Sequence, residues 1–258
     1  MVDWVRMILP ERLRWRRMVV AAINMAGIAA ATMLMAATPD PSAGAGWQAY
    51  RRGDYAEAFT AYEAAARKGD RLAQFNLAMM LLRGEGKPVD LAAGVEWLTK
   101  SADAGMAQAQ YSMGLLSESG VGMPRSLTGA TAWWQKAAEQ GHTEAQVELA
   151  TQYFLGRGAP KDWKVAAKWY EAAAESGDAG AQYIMGSFYE HGDGVAQDLK
   201  RALGWYVLAA QQGDVGAAAQ AKDVARRLAE AARSRRGSSS GLSNQRARGG
   251  APKRTRSG

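Results

Sequence analysis

Two histidines, a series of G-x-G pairs and a few serines are the residues of this sequence that could do chemistry. His142 and His191 are the only imidazoles, so metal binding or proton transfer near neutral pH would fall to them. Neither has an acidic partner at ligand spacing on its own helix, and both read as ordinary surface histidines. The pairs Gly84/Gly86, Gly120/Gly122, Gly156/Gly158 and Gly192/Gly194 invite comparison with phosphate loops. They lack a G-x-x-G continuation, a Lys-Ser/Thr pair and a preceding strand. Ser117 and Ser119 flank no nucleophile motif, and no base, nucleophile and oxyanion donor assemble. With no cysteine in the chain, disulfides, thiolate metal sites and a cysteine nucleophile are excluded. No catalytic residue, metal site or cofactor is expected.

The elements that carry these residues are periodic. Gly69, Gly105, Gly141, Gly177 and Gly213 stand 36 residues apart, as do Trp97, Trp133, Trp169 and Trp205. Each glycine is followed four residues later by alanine (Ala73, Ala109, Ala145, Ala181, Ala217), and the first four alanines by Gln74, Gln110, Gln146 and Gln182. A fixed period of this length marks a stacked repeat array. Each period predicts two helices. The first runs from the glycine to the G-x-G pair, as in Asp178–Glu190, where Ala181, Met185 and Tyr189 form an i, i+4, i+8 stripe. The second starts after a capping residue, Asp90, Ser126, Asp162 or Asp198, and ends at the next glycine, which suits a left-handed stop. Ala102, Ala138, Ala174 and Ala210 let neighbouring helices approach closely, and the tryptophans are expected to fill the space between them.

The ends differ from the body. Of the net charge of +7, residues 1–17 hold +3 and residues 226–258 hold +9, so the stretch between carries −5. The basic pI therefore describes the ends, not the repeats. Arg12, Arg14, Arg16 and Arg17 precede an uncharged run over residues 18–37, followed by Pro39 and Pro41. This is either a cleaved secretory signal, with Ala43-Gly44-Ala45 as the small-residue site, or an uncleaved membrane anchor. Both readings place the repeats outside the cytoplasm, in the periplasm or tethered to the inner membrane. Residues 1–45 are thus signal or anchor plus linker. Residues 46–235 are the array, in units 46–68, 69–104, 105–140, 141–176 and 177–212 with a cap at 213–235. Residues 236–258 are low-complexity, basic and expected to be disordered. That tail could contact a polyanion; nucleic acid conflicts with the export signal. Atypical polar ends favour a monomer.

The unit Asp162, Ala166, Trp169, Ala173, Ala174, Gly177, Ala181, Gln182, Met185, Gly186, Gly192, Gly194 resembles the Sel1-like repeat, a relative of the tetratricopeptide repeat. The resemblance covers about residues 46–215. It implies an all-α fold, a right-handed α-solenoid of antiparallel helix pairs that acts as a scaffold or adaptor, often at the bacterial envelope. One secreted subgroup is cysteine-rich and was linked to β-lactams; this chain lacks those cysteines, so an envelope enzyme or small-ligand binder acting on β-lactam or peptidoglycan is the weaker alternative. If the first helices line a concave wall, as the resemblance implies, their variable face forms the partner groove: Asn76, Met79, Arg83, Ser112, Leu115, Ser119, Glu148, Thr151, Leu155, Ile184, Ser187 and His191. The expected partner is another protein.

Overall fold

The structure is a computed structural model that describes residues 41–248. The described residues are helical and contain no strand. The helices are α1 (Pro41–Arg51), α2 (Tyr55–Arg67), α3 (Arg71–Arg83), α4 (Leu91–Asp103), α5 (Ala107–Ser119), α6 (Leu127–Glu139), α7 (Thr143–Leu155), α8 (Trp163–Glu175), α9 (Ala179–His191), α10 (Leu199–Gln211) and α11 (Val215–Arg248). The chain divides into two compact units, residues 1–172 and 173–258, with the boundary inside α8. The signal or anchor run at 18–37 lies outside the described residues, and no described helix is long and apolar enough to cross a membrane.

Sequence explains the punctuation. Asp54, Asp70, Asp90, Asp178 and Asp198 accept backbone N–H groups in the first turns of their helices, and Ser126 does the same through its hydroxyl. Met106 takes the same place before α5 without a capping bond; its thioether is instead buried and approached by the Ser101 hydroxyl at 3.4 Å. The G-x-G pair serves two purposes. Gly84, Gly120, Gly156 and Gly192 stop their helices in the left-handed region. The second glycine lets the loop touch the preceding pair: a Cβ on Gly158 would lie 2.4 Å from the Leu127 carbonyl oxygen.

Inside each pair, a large side chain sits on a small one. Trp134 of α6 is fully buried over Gly114 of α5, where a Cβ would come within 2.2 Å of the indole nitrogen. In the second unit, Tyr206 of α10 lies over Gly186 of α9 in the same way. Leu98 and Ala78 occupy the corresponding places in α4 and α3 and share one core cluster. The tryptophan column expected to fill the core sits one residue earlier, and it is only half-buried. Trp97 packs against two neighbouring clusters, and its outer face is covered by the Lys100 ammonium at 4.1 Å; Lys136 covers Trp133 at the same distance. Such contacts contribute about 0.5–1 kcal/mol at exposed sites.

Each repeat glutamine ties two helices together. Gln74, Gln110, Gln146 and Gln182 donate from buried Nε2 atoms to the carbonyls of Ala66, Ala102, Ala138 and Ala174, at 3.0–3.3 Å. These carbonyls belong to the last turns of the preceding helices, where intrahelical partners run out. The other amide atom is treated unequally. Gln110 Oε1 accepts from Gln140 Nε2 at 2.7 Å, and Gln182 Oε1 accepts from Gln212 at 2.8 Å. Gln74 Oε1 has no hydrogen-bond partner, and the residue thirty positions on is Ala104.

Two expectations are corrected. Pro41 to Ala45 are the start of α1 rather than linker, because proline is tolerated in a first helical turn. Gly46 then sits under Tyr62 of α2, with a Cβ position 2.8 Å from the ring, so the opening unit is a full helix pair. At the other end, residues 236–248, expected to be disordered, continue α11. A helix already nucleated extends through weak formers such as serine because each added residue gains a hydrogen bond. Residues 249–258 lie outside the described residues.

Ala104→Gln should supply the donor that Gln74 Oε1 lacks and raise stability by about 1 kcal/mol, read as a higher urea midpoint with unchanged slope. Gly114→Ala should do the opposite, lowering the midpoint by about 1–3 kcal/mol through overpacking against Trp134, despite the better helix propensity of alanine.

Candidate functional site

The face expected to bind a partner divides into presented and packed residues. In the first unit Ser119 is exposed, while Asn76, Arg83, Leu115, Glu148, Thr151 and Leu155 are half-buried. Met79 and Ser112 are buried, at 6% and 8% exposure, which corrects their assignment to an open surface. Met79 packs in one cluster with Leu98 and Met113, and the Ser112 hydroxyl donates to the Gln108 carbonyl of its own helix. Thr151 is engaged as well, with Oγ1 2.8 Å from the Tyr170 hydroxyl. Arg83 stands 4.0 Å from Glu85, whose carboxylate accepts the Tyr50 hydroxyl at 3.1–3.2 Å. In the second unit Ile184 is half-buried and His191 exposed, whereas Ser187 is buried. Ser112 and Ser187 are covered by the packing around them, so the i, i+3, i+7 face is a flank of each helix more than its outward side.

The titratable groups with shifted behaviour lie elsewhere. Glu190 is buried, accepts the Tyr206 hydroxyl at 2.9 Å and pairs with Arg227 of α11. Burial pushes the Tyr206 phenol well above its usual range, and the Glu190 carboxylate adds to the effect. Arg227 also lies 3.6 Å from Asp223. This network fastens the last helix to the second unit. A buried carboxylate with two charge-assisted or hydroxyl donors is a structural tie. Among the described residues no group of three or more His, Asp or Glu side chains could hold a metal ion.

His142 has a role that its sequence slot hints at. It occupies the place of Asp70 and Asp178, and it caps α7: Nδ1 lies 3.4 Å from the Ala145 N–H, and Nε2 lies 2.9 Å from Gln108 Oε1. The ring stacks on Tyr111 of α5 with centroids 4.7 Å apart. Neutral imidazole with its proton on Nε2 satisfies both contacts, since Nδ1 must then accept. The shared slot with two capping aspartates was the signal available in the sequence.

Desolvation lowers the His142 pKa below the usual imidazole value, with Glu144 at 3.3 Å acting in the opposite direction. The unfolded chain therefore binds the proton first as pH falls. The stability linked to this ring is complete above about pH 6.5 and is lost as pH drops through the lower folded value. His142→Asn keeps a capping oxygen and does not titrate. Between pH 7 and pH 5, its urea midpoint should fall less than that of the parent chain.

Comparison with known proteins places the whole arrangement. The Sel1 repeat model matches residues 71–106, 107–142, 143–178 and 179–214. A protective antigen present in uropathogenic Escherichia coli strains, displaying an SLR fold, is 34% identical with a TM-score of 0.65. The match covers 68% of this chain and 38% of the antigen, so the chain corresponds to well under half of that protein. A Sel1 repeat protein from Oxalobacter formigenes is 32% identical over 70% of this chain and 74% of its own, with a TM-score of 0.66. No match to a curated protein was found. The four matched repeats run without a break over residues 71–214, and the chain belongs to the Sel1-repeat family.

Proposed function

We propose that this protein is an adaptor of the cell envelope that holds a segment of another protein against the variable face of its repeats. Sel1-repeat proteins generally mediate protein–protein interaction. The observation that carries the reading is constancy beside variation. From α3 to α5 to α7, the buried positions repeat as Ala73, Ala109, Ala145 and Gln74, Gln110, Gln146. The partly exposed positions at the helix ends change from Arg83 to Ser119 to Leu155, and the step from Asn76 to Glu148 alters both charge and shape. A surface free to vary on a fixed frame is suited to reading one partner.

The envelope placement rests on the arginines at 12, 14, 16 and 17 and the apolar run at 18–37. Protease protection in intact cells tests it: the repeats should become digestible once the outer barrier is permeabilised, while the cytoplasm stays sealed. Protection that persists would sink the export reading.

In-cell crosslinking with an affinity handle after Arg248 tests the binding face. Asn76→Lys, Ser119→Trp and Leu155→Lys alter side chains outside the buried core. Together they should reduce partner capture at least tenfold with helicity unchanged. Capture at the parental level would exclude this face.

A further inference from the structure

The outer stripe of α10 departs from that of every earlier second helix. At equivalent positions α2 carries Thr60, Glu63, Ala64 and Arg67; α4 carries Glu96, Thr99, Lys100 and Asp103; α6 carries Ala132, Gln135, Lys136 and Glu139; α8 carries Lys168, Glu171, Ala172 and Glu175. Each of those stripes holds at least two charges. On α10 the same stripe is Gly204, Val207, Leu208 and Gln211, with no charge at all. Val207 and Leu208 are 38% and 43% exposed. Beside them, a Cβ placed on Gly204 would meet nothing within 4 Å. The helix thus presents an open notch one turn before two apolar knobs.

Lys200 and Arg201 stand in the first turn beside the capping carboxylate of Asp198, while the last turn has no basic side chain to face the negative end of the helix dipole. An antiparallel neighbour of the same sequence resolves both features. Its Lys200 would reach the Gln211 end of this helix, where the last carbonyls are negative, and the reverse contact would form at the other end. With a two-fold axis near Trp205 and Tyr206, Gly204 of one copy faces Val207 and Leu208 of the other. Knob enters notch twice. An isologous contact also sets each residue near the axis against its own kind, so a charge there would meet the same charge; the uncharged stripe avoids that.

We propose that the exposed face of α10 is a self-association surface on which two copies of this chain pair through antiparallel α10 helices. The monomer expected from the polar ends of the array concerns its ends, and this face lies on the side of a helix. A single helix pair is at the small end of specific interfaces, so the dimer exchanges readily and is best trapped covalently.

The chain has no cysteine, which makes single-cysteine trapping clean. Full-length Val207→Cys, treated in its native cells or membranes with a short bifunctional maleimide, should give a covalent dimer of the chain. Adding Leu208→Lys or Gly204→Trp should weaken that band at least tenfold, the first by charge repulsion and the second by filling the notch. Glu171→Cys, at the equivalent position on α8, should give none; circular dichroism should show the same helicity throughout. Absence of the Val207→Cys dimer would overturn the proposal. So would an equal band from Glu171→Cys, which indicates general clustering, persistence of the band in both added variants, or a crosslink to a different protein only.

Discussion

The seating of a large side chain over a small residue, most tightly a ring over a glycine, is the constraint on which the helix pairs depend. Trp134 reaches full burial only because Gly114 leaves the helix surface flat beneath it, and Tyr206 over Gly186 repeats the solution. Close approach of the two helices then brings the glutamine at each pair's start within reach of the previous helix's last carbonyls. The left-handed glycines follow from the same geometry, since a helix held so tightly must end abruptly before the next can turn back. Size complementarity sets the spacing, and hydrogen bonds record it.

Against this frame, polar variety is confined to a few places. His142 replaces a capping aspartate and adds a ring stack on Tyr111. Met106 gives up the cap for burial. Glu190 takes a buried charge that is matched by Arg227 from the final helix. Each exception is compensated locally, so none disturbs the period. The residues left to vary are those with little packing to answer for, and they are the ones assigned to a partner.

Much of this was legible because the period of 36 residues aligns equivalent positions in the sequence itself. Helix limits followed from caps and glycines to within a residue; α9 at Ala179–His191 is the segment read as Asp178–Glu190. What escaped detection did so for physical reasons. The linker between α1 and α2 spans three residues where later pairs use seven, so Gly46 fell out of register with Ala78 and Gly114 and α1 went unseen. Burial was attributed to the recurring tryptophans because identity recurs there. The true core column changes from Leu98 to Trp134 to Tyr170 to Tyr206 and shares only bulk. Met79, Ser112 and Ser187 were assigned to a groove from helical spacing alone, which fixes direction around a helix but not what lies over it.

The glutamine tie has a bearing on how the chain is made. Its donor and acceptor are eight residues apart, on either side of one tight turn, and the ring-and-notch contact joins consecutive helices. Nearly every decisive contact is therefore near in sequence, which favours rapid folding. A chain emerging from a ribosome or a translocation pore can complete one pair before the next has arrived, and each finished pair offers a template edge to its successor. Such a protein can be threaded through a narrow channel and still assemble in the order of its synthesis, without waiting for its far end.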